Sequence, residues 1–153
     1  MNMTNTTPKS ASTITKRVYF LRHGQALHNP RAEEAKAKGC SHSTFLQLMR
    51  EDDAFDAKLT SLGESQGRKA GEVYQHKMQH VELVVSSPLS RAILTADLAA
   101  NPDDRKFSNR ICVENFREIN GSFLNAKRRS RVDLEEIFHS SWDFSGLTEE
   151  DEW

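Results

Sequence analysis

"VYFLRHGQALHN", Val18 to Asn29, sets an apolar run directly against Arg-His-Gly and follows it with an asparagine. Val18, Tyr19 and Phe20 favour the pleated state. The apolar residues of Arg17 to Leu21 run together rather than alternating, which predicts a short strand covered on both faces, as in a parallel α/β sheet. The carboxyl edge of such a sheet is where ligands bind, and Arg22, His23 and Gly24 leave the strand there. Arg22 offers a planar fork of donors suited to phosphate. A neutral His23 can attack phosphorus with one ring nitrogen while the other donates to a backbone carbonyl. Gly24 lets the backbone come close to that ring, and Asn29 can add a neutral donor to a phosphate oxygen. An Arg-His-Gly arises by chance in roughly one in a hundred chains of this size, so the tripeptide gains weight only from what accompanies it.

Working outward, residues 31 to 50 are polar, with helical stretches at "RAEEAKAK" and "TFLQLMRE" divided by Gly39. Leu62 to about Met78 reads as a helix, with Ser61 as its cap and Glu64 completing a capping box. Leu62, Gln66, Ala70, Val73 and Lys77 would share one partly apolar face. "VELVVSS", Val81 to Ser87, is a second buried strand. Pro88 then suits the first turn of a helix, and Leu89, Ala92, Ile93, Ala96 and Ala99 fall at helical spacing. "PDD", Pro102 to Asp104, ends that helix. "RICVENF" is a short strand, "SRVDLEEIFHSSW" a short helix and "TEEDEW" an acidic end. Strand, helix, strand, helix, strand is the α/β order. The expected architecture is three layers with a mostly parallel sheet, preceded by a disordered polar tail over residues 1–15. A single partial domain would occupy residues 16–153.

The end of the second strand repeats the chemistry of the first. "SSPLSRA" puts Arg91 in the first turn of a helix, where free N–H groups already favour anions. One such arginine is ordinarily a surface residue. Two at two strand ends, one beside a histidine, point to a phosphate pocket. In "NFREING", Glu118 follows a strand and precedes Gly121. A carboxyl beside a phosphate oxyanion holds its proton more tightly and can protonate a leaving oxygen as general acid.

Composition sets bounds. The 153 residues suit one domain, and 37% apolar content supports a modest core. A net charge of −1 argues against a nucleic-acid partner bound through bulk charge. No run reaches the roughly 18 apolar residues of a membrane span. The basic cluster "KRRSR", Lys127 to Arg131, reads as a solvated loop or helix start. Cys40 and Cys112 form no C-x-x-C pair, so neither a zinc site nor a disulfide framework is signalled, and a cytoplasmic location is the default.

With these residues in place, the chain resembles the histidine phosphatase superfamily, the phosphoglycerate-mutase-like fold, in its eukaryotic mutase-like branch. "LRHGQALHN" resembles the nucleophile motif, "FDAKLTSLGESQ" the segment opening the first long helix, "VVSSPLSRAILTA" the second arginine motif and "FREINGSFLNAKRRS" the proton-donor segment. The likeness spans Lys16 to Trp153. It implies His23 as the residue phosphorylated, Glu118 as the proton donor, and Arg22, Asn29 and Arg91 as phosphate ligands. It implies no metal and no cofactor, and a phosphorylated small molecule or phosphoprotein as substrate. A mutase reaction, or a phosphate-binding or interaction module without turnover, are the alternatives.

The pattern departs from the family in places. Leu94 stands where the family more often has Gln, and "NAKRRS" lacks a Cys-Asp pair. The resemblance also implies a second pocket histidine, late in the chain, after a buried strand and before Gly. None of His28, His42, His76, His80 and His139 stands so. The expectation is therefore a C-terminally incomplete domain.

Overall fold

The computed structural model describes residues 15–51, 54–100, 109–118 and 123–152. In chain order these form α1 (Asn29–Ala37), α2 (His42–Arg50), α3 (Ser61–Met78), β1 (Val84–Ser86), α4 (Ser90–Ala99), β2 (Arg110–Cys112) and α5 (Arg131–Phe138), with 3-10 turns at Glu114–Phe116, Leu124–Ala126 and His139–Ser141. The expected tail, except Thr15, and the "PDD" stop fall on positions outside the described residues. No helix among the described residues is long and apolar enough to cross a membrane.

The α/β class is visible in one right-sized unit. β1 and β2 pair in parallel, Val84 against Arg110 and Ser86 against Cys112, with α4 on the connection between them. Parallel strands require such a crossover. The outer edge of β2 is taken by the chain after α5: Cys112 N–H donates to Asp143 O at 3.0 Å, and Asp143 N–H to Arg110 O at 2.8 Å. The core sits beneath this pair. Ile93, Cys112, Leu134, Phe138, Trp142, Phe144 and Leu147 form one buried cluster. Burial pushes the Cys112 thiol up to about 12, so it packs as a small hydrophobe.

Several expectations are corrected. Arg17 to Leu21 is not a strand: Val18 is 70% and Phe20 91% exposed. Among the described residues no neighbouring strand accepts its backbone groups, and apolar composition alone cannot bury a segment that nothing covers. The second strand is three residues rather than seven, because its ladder runs only as far as β2 does. "RICVENF" likewise leaves the sheet after Cys112 and turns.

The cap of α3 is Thr60, not Ser61; Thr60 Oγ1 accepts from Gly63 N–H at 3.1 Å, and Gly63 at that position leaves no capping box. The buried face of α3 also differs. Leu62 and Val73 are exposed, while Gly63 and Gly67 are buried. Glycine wins here because α4 comes too close for a side chain: a Cβ on Gly71 would lie 2.6 Å from Ala99 O.

The basic run is not solvated either. Arg128 is 1% exposed, its Nε 3.0 Å from Glu114 Oε2 and its Nη2 donating to the carbonyls of Thr148 and Glu150. Arg117 is held by Asp151 Oδ1 at 2.7 Å, and Arg131 by Glu149 at 2.9 Å. The acidic end folds back over the basic run: Arg131 pairs with Glu149, the Arg128 N–H donates to Asp151, and the Arg128 and Arg129 side chains find their carboxylates in Glu114 and Asp56.

Candidate active site

The loop after residue 22 is built by α3. Gln25 is gripped at four points: its N–H donates to Gln66 Oε1 at 2.8 Å, its carbonyl accepts from Thr60 N–H at 2.9 Å and from Thr60 Oγ1 at 3.3 Å, and its Oε1 accepts from Thr60 Oγ1 at 2.9 Å. Leu27 N–H donates to Lys58 O, and Ala26 bridges Leu59. Gly24 and Gly63 lie back to back. A Cβ on Gly24 would sit 2.4 Å from Gly63 O, and one on Gly63 2.0 Å from Gln25 O. The close approach that Gly24 permits is therefore to the N-terminus of α3 as well as to the His23 ring. This gives a mechanical meaning to Leu59, Thr60, Gly63 and Gln66: they clamp the histidine loop onto the helix.

His23 is half-buried, and its Nδ1 lies 2.7 Å from Gly24 O. A carbonyl only accepts, so Nδ1 carries the hydrogen and Nε2 keeps its lone pair. Burial lowers the pKa of the ring, the Gly24 hydrogen bond opposes this, and the Arg91 and Arg22 charges lower it further against Glu118. The imidazole is thus held neutral, as a nucleophile requires.

Arg91 is the most elaborately placed side chain of the site. It is 1% exposed and donates through Nη1 to Asn125 O at 2.5 Å, while Nη2 lies 3.5 Å from Glu118 Oε2. Burial lowers its pKa, and Glu118 and Asp56 raise it. The helix end that carries Arg91 has no side-chain cap of its own. Asp56 supplies one from a distant turn: it is fully buried, accepts Ser90 N–H at 2.8 Å and Ser90 Oγ at 2.5 Å, and lies 3.3 Å from Arg129 Nε. The sequence suggested free N–H groups at this helix end for an external anion. The anion found on Ser90 N–H is Asp56. Burial raises the Asp56 pKa against its hydrogen bonds and the two arginines.

Thr95, one turn beyond Arg91, ties the halves together, accepting from Gly24 N–H at 3.1 Å and donating to Arg91 O at 2.7 Å. Arg22 is exposed and, among the described residues, makes no hydrogen bond or ion pair; it lines an open cleft of about 230 Å3 with His23, Gly24, Gln66, Gly67, Ala70 and Thr95. Asn29 is committed locally. Its Oδ1 accepts from Ala26 N–H at 2.9 Å and its Nδ2 faces His28 Nε2 at 3.2 Å. The Glu118 side chain is 54% exposed, beside Arg91.

The structure thus brings the charges of Arg22, Arg91 and Glu118 to bear on the His23 imidazole, while Asn29 contacts Ala26 and His28 in the loop that follows it. Asp56, Thr60, Gln66, Thr95 and Asn125 were not singled out by residue chemistry. Asp56, Thr60 and Gln66 lie in the segment "FDAKLTSLGESQ", Thr95 in "VVSSPLSRAILTA" and Asn125 in "FREINGSFLNAKRRS", and they act across long sequence separations.

Comparison with known proteins identifies the family. Residues 18–146 match the family model of the histidine phosphatase superfamily (branch 1). Over 50 residues the chain is 44% identical to a 2,3-bisphosphoglycerate-dependent phosphoglycerate mutase of Corynebacterium kroppenstedtii, covering 33% of this chain and 20% of that protein. Over 83 residues it is 36% identical to phosphoglycerate mutase-like protein 1 of Arabidopsis thaliana, covering 53% of this chain and 26% of that one. The chain therefore spans about a quarter or less of the length of these curated relatives. No solved structure matches it significantly. The matched span covers most of the chain and includes every residue of the site, so the chain belongs to the histidine phosphatase superfamily, which includes phosphatases and phosphomutases.

Proposed function

We propose that the chain hydrolyses phosphomonoesters through a phosphohistidine on His23. The observation that carries this reading is the Nδ1 hydrogen bond to Gly24 O beside the buried Arg91. In the first step His23 Nε2 bonds to phosphorus as the ester P–O bond breaks, and Glu118 gives its proton to the leaving oxygen. In the second, water attacks phosphorus, Glu118 takes the water's proton, and the Nε2–P bond breaks to release inorganic phosphate. Arg91 and Arg22 bear the charge on the transferring group. Asn29 holds the loop in shape through its amide, which is bonded to Ala26 N–H and His28 Nε2. The substrate is a phosphorylated small molecule or phosphoprotein.

A second reading, phosphate binding without turnover, draws support from the exposure of Arg22, which leaves one wall of the pocket open to water. Assay of the full chain with p-nitrophenyl phosphate in EDTA, beside His23→Ala, separates the two. Turnover in the wild type, lost in the variant, is the expected result. Equal rates in both proteins would sink the phosphohistidine mechanism. Phosphate-dependent thermal stabilisation with no turnover in either would establish the binding module.

A further inference from the structure

His28 follows His23 in the same loop; it is 4% exposed and its ring centroid lies 6.4 Å from that of His23, tilted by 54°. Its hydrogen-bonding state is fixed by its neighbour. Asn29 Oδ1 is occupied by Ala26 N–H, so the group facing His28 Nε2 at 3.2 Å is the amide NH2, a donor. Nε2 must then accept, and the hydrogen of the neutral ring sits on Nδ1. That N–H is buried and, among the described residues, has no partner.

Buried N–H groups without acceptors are rare in folded chains, and this one has company. Arg91 Nε and Asn125 Nδ2 are buried donors equally without a partner among the described residues, and the two residues are neighbours, Arg91 Nη1 donating to the main-chain carbonyl of Asn125. Three buried donors on His28, Arg91 and Asn125 call for an acceptor that the described residues do not supply. The acceptor must be rich in oxygen and negative in charge, because the Arg91 guanidinium stands over it.

We infer that His28 is a phosphate-contacting residue whose Nδ1–H donates to a non-bridging oxygen of the phosphoryl group held between His23 and Arg91. This rests on the reading of the site as a phosphate pocket. Burial, with the charge of Arg91, pushes the ring down to about 4, so the donor is neutral at pH 7. A neutral donor beside His23 does not add a cation that would compete for the charge of the transferring group. Asn29 acts through it, by holding the tautomer.

The test uses the full chain and inorganic phosphate, with binding followed by calorimetry in wild type, His28→Phe and His28→Gln. His28→Phe keeps a flat ring and removes both nitrogens. Its phosphate affinity is expected to fall roughly tenfold to a hundredfold, with His28→Gln recovering part of the loss. Because either substitution can disturb folding, a second measurement needs none: the 15N spectrum of the wild-type imidazoles, in which Nδ1 of His28 should shift on phosphate titration. Equal phosphate affinity in the two variants, a wild type that takes up no phosphate, or a His28 Nδ1 signal unmoved at saturation would overturn the inference. A responding His28 in a chain with no turnover leaves it standing and removes only the hydrolytic reading.

Discussion

Arg91 and Arg22 bring the same guanidinium toward the same histidine from places built in different ways. Arg91 is 1% exposed, seated on a helix whose first N–H is latched by Asp56, with a main-chain carbonyl fixing one nitrogen. Arg22 follows a segment with no strand partner among the described residues and is exposed. A buried arginine loses its rotamers on folding and meets its ligand pre-oriented, so little entropy is lost at binding. An exposed one must be ordered by the ligand each time. The difference teaches that one wall of the pocket belongs to the fold, and that the other is supplied by a residue whose position depends on what it binds.

That contrast can be broken most severely at Gly63. Alanine there would place a Cβ 2.0 Å from Gln25 O, and neither partner is a side chain that can swing away. Gly63→Ala is expected to cost more than about 4 kcal/mol, a fall in Tm of roughly 10 °C or more for a chain of this size. Thermal denaturation measures it, and an unchanged Tm would mean that the histidine loop is not clamped to α3. Next comes the latch on the other side of the site. Asp56→Ala leaves Ser90 N–H and Oγ without their buried acceptor and should cost roughly 3 kcal/mol. It should also weaken phosphate binding, since the helix turn bearing Arg91 loses its cap. Full affinity in a folded Asp56→Ala protein would show that Arg91 is held in place without the Asp56 latch.

Helices were the legible part of the sequence, because their signals are local. Gly39 divides α1 from α2 with a φ of +84°, and Ser130 caps α5 by accepting Asp133 N–H at 3.1 Å. His23, Arg91 and Glu118 were also legible, since phosphate chemistry restricts which residue types can serve. What could not be read depends on partners distant in the chain. Phe20 looked like a strand residue because apolar composition does not say whether a neighbour exists. Arg128 looked solvated because Glu114 and the carbonyls of Thr148 and Glu150 lie far along the sequence. Asp56 gave no sign of capping a helix that begins at Ser90.

A smaller effect follows from pH. The pKa of His28 is lowered to about 4 in the fold from about 6.5 in an unfolded chain. A depressed folded pKa means that the unfolded chain binds more protons in between, so the stabilisation is present above pH 6.5 and is lost as the pH falls toward 4. At pH 5 the loss comes to about 2 kcal/mol. The lowered pKa of His23 acts in the same sense. Asp56 and Asp97, raised by burial, act in the opposite sense: their contribution is present at low pH and is lost as the pH rises through their folded values. Denaturant unfolding at pH 7 and pH 5, for wild type beside His28→Phe, isolates His28 because the other groups are common to both. A pH dependence identical in the two proteins would place His28 in solvent rather than in the wall beside Arg91.

The smallest effect probes the open wall. Phe20 is 91% exposed, so Phe20→Ser removes no buried area and should change stability by less than about 0.5 kcal/mol. A phenylalanine in a covered strand would behave otherwise, since emptying its site costs about 3 to 5 kcal/mol. The same substitution therefore separates two pictures of residues 17–21 by several kcal/mol in a single urea titration. It also sharpens the comparison between the arginines. If Phe20→Ser is neutral for folding yet weakens phosphate binding, the segment is ordered only when Arg22 engages the anion, and the apolar run before it serves the bound state. If the substitution is costly for folding, the segment is already packed in the free protein and Arg22 is as pre-oriented as Arg91.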